Sequence, residues 1–297
     1  MSTVVRYYKV AGHVFNVALP EESPLWGQMD QYGPFETQAA DEPIFTLQWE
    51  IIRPSETQYE PVYTEHPQEE GQSRIELYSN EDGWRFKMSR TANGPIFCVM
   101  DCDKEFKKAV FCAKGDALQG LNSALMLMFA FRTACLGTLE MHASVITKGG
   151  KGYLFLGKSG TGKSTQSRMW LESIEGAELL NDDNPIVRIM PDGKVRVFGS
   201  PWSGKTPCYK NMDAEIGGIV RIRRCQENKI TRLSNLEAYA SLYSSCSGLK
   251  ADGPVGDGLH KTMEHVVLNV PFYVLDCLPD HDAACVCHDT VTAYGQD

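Results

Sequence analysis

The chain has 297 residues, of which 42% are hydrophobic, and a formal net charge of −9. That length predicts about two domains, each with its own core. The acidic balance argues against a nucleic-acid partner, because neutralising phosphates takes a basic surface. No apolar run approaches the roughly 18 residues that cross a membrane, and the N-terminal segment lacks the layout of a signal peptide. The expectation is a cytoplasmic protein without a membrane partner, with homo-oligomerisation left open. Ten cysteines without a C-x-x-C read as small buried apolar residues.

Residues 1–115 read as a β-rich N-terminal domain. Short β-branched and aromatic runs at 4–10, 13–18, 44–52, 74–78, 84–88 and 96–100 are separated by turn signals such as Asn-Gly at 93–94. Residues 54–71, rich in Pro, Glu and Gln, read as an exposed loop. Leu118, Leu121, Leu125, Met128 and Phe129 recur at helical spacing and predict a connecting helix over 116–137, stopped by Gly137. From 138 to 297 the pattern alternates. Strands are predicted at 143–147, 152–156, 177–180, 186–189, 194–198, 218–222 and 272–275. Helices are expected after residue 164 and at 236–243, 260–268 and 282–291.

The most informative stretch is Gly157, Lys158, Ser159, Gly160, Thr161, Gly162, Lys163, Ser164 and Thr165, a complete G-x-x-x-x-G-K-[ST] motif. An apolar strand before it and a helix after it form the setting that a phosphate-binding loop requires. Glycines let the backbone wrap an anion closely, and the helix N-terminus adds partial positive charge. In this arrangement Lys163 reaches the β- and γ-phosphates of a nucleotide, and the Ser164 hydroxyl ligates Mg²⁺.

Other residues gather around that motif in the sequence. Asp182 and Asp183 follow the 177–180 strand, where carboxylates beside a phosphate loop hold Mg²⁺ or accept a proton from an attacking hydroxyl; a solvated turn is the alternative. His142 precedes the hairpin that feeds the loop and is read either as structural or as orienting a carboxylate or phosphate. Residues 200–207 read as an exposed loop in which Lys205 clamps a phosphate and Trp202 stacks on a planar ligand, or as an ordinary connection. Arg221 on the 218–222 strand supplies positive charge to a transferred phosphoryl group or is a solvated strand end, and Arg223 shares its face. His281, Cys285, Cys287 and His288 match no standard zinc spacing and read as chance neighbours on a helix.

Three segments together, Met141-His-Ala-Ser144, Gly152–Thr165 and Leu179-Leu-Asn-Asp-Asp183, resemble the core of bacterial HPr kinase/phosphorylase. They are also similar to the nucleotide site of phosphoenolpyruvate carboxykinases. The resemblance covers about His142 to Asp183 and implies an α/β fold: a P-loop HPr kinase/PEP carboxykinase-like mixed sheet, here preceded by the β-rich N-terminal domain. It implies ATP with Mg²⁺ at Lys163 and Ser164, a general base in the aspartate pair, and His142 beside it. Carried over, Asp182 is the base candidate and Asp183 the metal-side partner, though the two can be exchanged. The expectation is an ATP- and Mg²⁺-dependent kinase acting on a hydroxyl of a small molecule, peptide or protein. A carboxykinase-like lyase and a nucleotide-gated peptide- or partner-binding accessory protein are the alternatives.

Overall fold

A computed structural model describes residues 2–50, 58–65, 73–91, 93–204, 206–250 and 253–293. The chain divides into two units, Met1–Arg132 and Thr133–Asp297. Among the described residues no helix is long and apolar enough to cross a membrane.

The first unit holds β1 (Thr3–Val10), β2 (His13–Pro20), β3 (Glu36–Thr37), β4 (Thr46–Trp49), β5 (Glu60–Glu65), β6 (Arg74–Ser79), β7 (Gly83–Ser89), β8 (Ile96–Asp103), β9 (Lys108–Ala113) and α1 (Ala117–Ala134). Two 3₁₀ turns, Pro24–Gln28 and Asp30–Phe35, lie between β2 and β3. The strands form one mixed sheet in the order β3-β1-β2-β4-β9-β8-β7-β6-β5. Its core is aromatic. Phe15 stacks on Phe45 at 4.9 Å, and Tyr8 meets Tyr32 edge-on at 5.4 Å. From α1, Phe129 contacts Phe15, and Phe131 contacts Phe86 and Phe106. The helix therefore buries its apolar stripe on this sheet and, as far as Arg132, is part of the first unit rather than a free connector.

One reading of this half needs correction, and one strand was not read from the sequence at all. Part of the stretch expected to be an exposed loop is β5, paired with β6. It is an edge strand with a register shift beside Pro61, the kind of place a sheet tolerates proline. The remainder of that stretch lies outside the described residues. Strand β9 carries no clear alternation, and its pairing with β4 and β8 makes it a central strand.

The second unit holds β10 (Thr138–Glu140), β11 (Ala143–Lys148), β12 (Lys151–Leu156), α2 (Lys163–Ser173), β13 (Glu178–Asp183), β14 (Ile186–Ile189), β15 (Val195–Phe198), β16 (Asp213–Arg224), β17 (Lys229–Arg232), α3 (Asn235–Tyr243), α4 (Gly253–Asn269), β18 (Phe272–Cys277) and α5 (His281–Ala293). The sheet runs β10-β14-β15-β16-β12-β11-β13, with β18 also pairing β16 and β17 pairing β18. It is mixed: β12 and β18 run parallel to β16, and the remaining pairs are antiparallel. The twelve-residue β16 is its spine, pairing β15 near its start, β18 along its second half and β12 on its other edge.

Alternation along the strands separates the two faces. Tyr153, Phe155, Val220, Ile222, Tyr273 and Leu275 share a buried cluster with Trp170 of α2 and with Cys287 and Val291 of α5. Helix α3 packs on α4, and α4 on β10 and β14. The N-terminus of α3 is closed by a capping box in which Ser234 and Glu237 satisfy each other's backbone N–H groups.

Candidate functional site

The glycine-rich segment leaves the C-terminal end of β12 and enters α2 at Lys163. Gly160 and Gly162 have φ of 70° and 121°, a region open to glycine at little cost. A Cβ at either position would meet nothing within 4 Å, so the loop's outer surface is clear. Within the loop, the Thr161 N–H donates to the Lys158 carbonyl at 3.1 Å, closing a turn. Arg224, at the end of β16, donates from Nη2 to the Gly160 carbonyl and from Nε to the Thr161 carbonyl at 3.3 Å. The first N–H groups of α2 have no acceptor within the helix. Lys158, Ser159 and Ser164 are exposed, whereas Thr165 is half-buried.

Lys163 is 8% exposed. Its ammonium donates to the Gly157 carbonyl at 3.0 Å and lies 3.0 Å from His142 Nε2. The same Nε2 is 3.4 Å from Asp183 Oδ1. One ring nitrogen cannot accept from Lys163 and donate to Asp183 at once. The close ammonium favours the tautomer with its proton on Nδ1. Burial raises the Asp183 carboxyl above its ordinary range. The charges of His142 and Lys163 oppose that shift, Asp182 reinforces it, and a hydrogen bond from Asn184 opposes it. Its side chain keeps 37% of its surface accessible, so the loss of hydration is partial.

The two aspartates are the last residues of β13, not a turn beyond it. Alternation therefore sends their side chains to opposite faces. Asp183 meets His142 and feels the charge of Lys163. Asp182 pairs in register with Ser144, whose hydroxyl lies 2.6 Å from that of Ser167 on α2. Asp182 thus belongs to the α2 side. It is 6% exposed, and its carboxylate receives no hydrogen bond from a described residue.

Residues 200–204 run along this strand as a strap. Buried Asn181 donates from Nδ2 to Ser200 Oγ and the Trp202 carbonyl, both at 3.2 Å, and its Oδ1 accepts the Asp183 N–H. Gly204 donates to the Asp182 carbonyl at 2.9 Å, and a Cβ there would stand 2.8 Å from that oxygen. Trp202, expected to stack on a ligand from an exposed loop, is 3% exposed and is a core residue. Its segment is held down by Asn181, to which the sequence reading gave no role. Lys205 lies outside the described residues.

Arg221 is not brought to the Lys163–His142–Asp183 group. Its Nε donates to Ser241 Oγ at 2.7 Å, and Nη2 donates to the Ser241 carbonyl and to Ser244 Oγ, at the C-terminal end of α3. Arg223 forms a two-point pair with Asp276, both contacts at 2.7 Å. His281, Cys285, Cys287 and His288 all fall on α5. Cys287 is buried, and His281 and His288 are engaged by Ser173, Glu172 and Asp289. Among the described residues no cluster of three or more His, Cys, Asp or Glu is arranged to hold a metal.

The signal that sequence reading missed altogether is Glu140, two residues before His142. It is 2% exposed, and its Oε2 has no hydrogen-bond partner. Burial, with a smaller contribution from the charge of Asp183, pushes its carboxyl up to about 8.

No protein family and no curated protein matches the sequence. Among solved structures, the chain is similar to the Hpr(Ser) kinase/phosphatase from Coxiella burnetii. That match has 10% sequence identity, 52% of this chain, 89% of that chain and a TM-score of 0.32. So distant a likeness carries no argument about activity.

Proposed function

We propose that the second unit is an ATP- and Mg²⁺-dependent phosphotransferase acting on a hydroxyl group. The observation that carries this reading is the cluster of Lys163, His142 and Asp183 at the mouth of the 157–165 loop. A cation, an imidazole and a carboxylate of raised proton affinity meet beside a surface suited to phosphates.

The residues fit the metal as well as the nucleotide. The carboxylate of Asp182, on the α2 side of β13, and the exposed hydroxyl of Ser164 are hard oxygen donors. Mg²⁺ is ordinarily held by one or two carboxylates together with substrate phosphates and water. When bound, the ion would neutralise charge developing on the transferred group.

The chain's own residues supply the rest. The loop N–H groups and the start of α2 receive the phosphates. Lys163 leaves Gly157 and His142 for a phosphate oxygen, where its charge offsets the charge developing on the transferred group. His142 Nε2 then turns to Asp183 and takes its proton if the carboxyl is protonated. Asp183 accepts the acceptor's hydroxyl proton as the new O–P bond forms and the bond from the γ-phosphorus to ADP breaks. The roles of the aspartates are thereby the exchanged ones: Asp183 is the base and Asp182 stands on the metal side.

The test follows γ-labelled ATP, with Mg²⁺, into an extract separated into small molecules and macromolecules. Wild type should label one fraction, and Lys163→Ala should cut transfer by about 10²–10³-fold, as loss of one electrostatic donor does. Equal labelling by both proteins would sink the reading.

A further inference from the structure

The second unit also contains a cavity of about 570 Å³ on the face of the sheet opposite α2, between α3 and the C-terminal halves of β16 and β18. This volume is that of an ordinary small-molecule site. Four of the lining residues are basic, Arg221, Arg223, Lys229 and Arg232, and two are acidic, Glu237 and Asp276. Both acids are already engaged. Asp276 is held at two points by Arg223, and Glu237 closes the capping box of α3. Neither Arg221 nor Lys229 forms an ion pair with a described residue.

Arg221 is the unusual member. Its guanidinium is half-buried, and it donates to two hydroxyls and a carbonyl at the end of α3. The helix terminus offers at best about half a negative charge. Burial pushes the guanidinium below its ordinary value, with no carboxylate acting against the shift. A desolvated full charge is costly unless an anion meets it. Arg221 also pairs in register with Leu156, the residue before Gly157, so the cavity begins one strand away from the phosphate loop but on the other face.

We propose that this cavity binds a small molecule bearing a carboxylate or phosphate group, with Arg221 and Lys229 as its charge partners. The site is distinct from the 157–165 loop, and the inference goes beyond the phosphotransfer reading; it stands whether or not ATP is turned over.

Succinate and inorganic phosphate, titrated calorimetrically at constant ionic strength, test it and separate the two ligand chemistries. Wild type should bind at least one of them saturably. Arg221→Gln should weaken that binding about tenfold or more, the loss expected for a charged hydrogen bond. Lys163→Ala should leave succinate affinity unchanged. Lys229→Glu, an exposed change that spares the fold, should weaken binding in the same direction and decides the matter if Arg221→Gln does not fold. Three results would overturn the proposal: no saturable binding of either anion, binding that survives both Arg221→Gln and Lys229→Glu, or binding lost in Lys163→Ala alone. Displacement of succinate by ATP without Mg²⁺ would make the cavity part of the nucleotide site and overturn its separateness.

Discussion

The two units are built from sheets of equal strand number and bury very different chemistry. In the first, the largest fully buried side chains are aromatic rings, among them Tyr8, Phe15, Tyr32, Phe45, Phe86 and Phe111, and the buried polar residues are His13, Asn16 and Ser89. The second buries Glu140, Ser144, Lys163, Gln166, Ser167, Asn181 and Asp182 on β10–β13 and the first turn of α2, and Thr133, Thr138, Ser200, Ser241, Ser245 and Thr262 besides. Polar and charged groups are rarely buried without a reason, because each must be hydrogen-bonded or must meet a countercharge. The first unit therefore reads as packing for its own sake. In the second, packing is subordinated to holding charge in place.

The sharpest way to break this contrast is at Asp183. Asp183→Asn should lower phosphoryl transfer by about 10²–10⁴-fold, the range for loss of a general base. Asp182→Asn should instead raise the Mg²⁺ concentration needed for half-maximal rate. If the two phenotypes come out reversed in Mg²⁺ titrations of the initial rate, the assignment by strand alternation is wrong. In the first unit the matching probe is Phe15→Ala, which should cost about 3–5 kcal/mol of that unit's stability by urea unfolding.

Glu140→Gln sharpens the comparison through pH. A carboxyl raised from 4.5 to about 8 on folding binds more protons in the folded state across that window. Wild-type stability should thus fall as pH rises from about 4.5 to 8, by an amount on the order of 3 kcal/mol at pH 7. The variant should have a flatter profile and be the more stable protein at pH 8, with little difference at pH 4.5. Parallel urea-midpoint profiles for the two proteins would show that Glu140 does not carry this burden. The smallest effect is expected from Gly204→Ala, where the added Cβ would press on the Asp182 carbonyl. About 1–3 kcal/mol of overpacking strain is expected there, read as a lowered melting temperature.

Much of the second unit is legible from sequence because its signals are local. The phosphate-loop motif, the Lys-Gly-Gly-Lys hairpin turn at 148–151 and the apolar strand between them are contiguous patterns. What was not legible depended on where strands end and what lies across from them. Ending the strand at Leu180 makes Asn181, Asp182 and Asp183 a turn; carrying it to Asp183 puts the aspartates on opposite faces and turns Asn181 into the anchor of a strap. Trp202 sits among prolines, serines and a glycine, and composition alone calls that a loop; its burial comes from contacts with residues about twenty positions away. Arg221 and Arg224 are three residues apart on one strand and turn to opposite faces, one to α3 and the other to the glycine-rich loop.

That last residue has a further consequence. A flexible loop normally surrenders conformational freedom when a ligand arrives, and affinity is reduced by that loss. Here Arg224 already claims the Gly160 and Thr161 carbonyls. With the oxygens of two successive peptides turned to one guanidinium, those peptide planes are set before any encounter. The ordering cost is thus met during folding, and an anion arriving at this loop would find it already set.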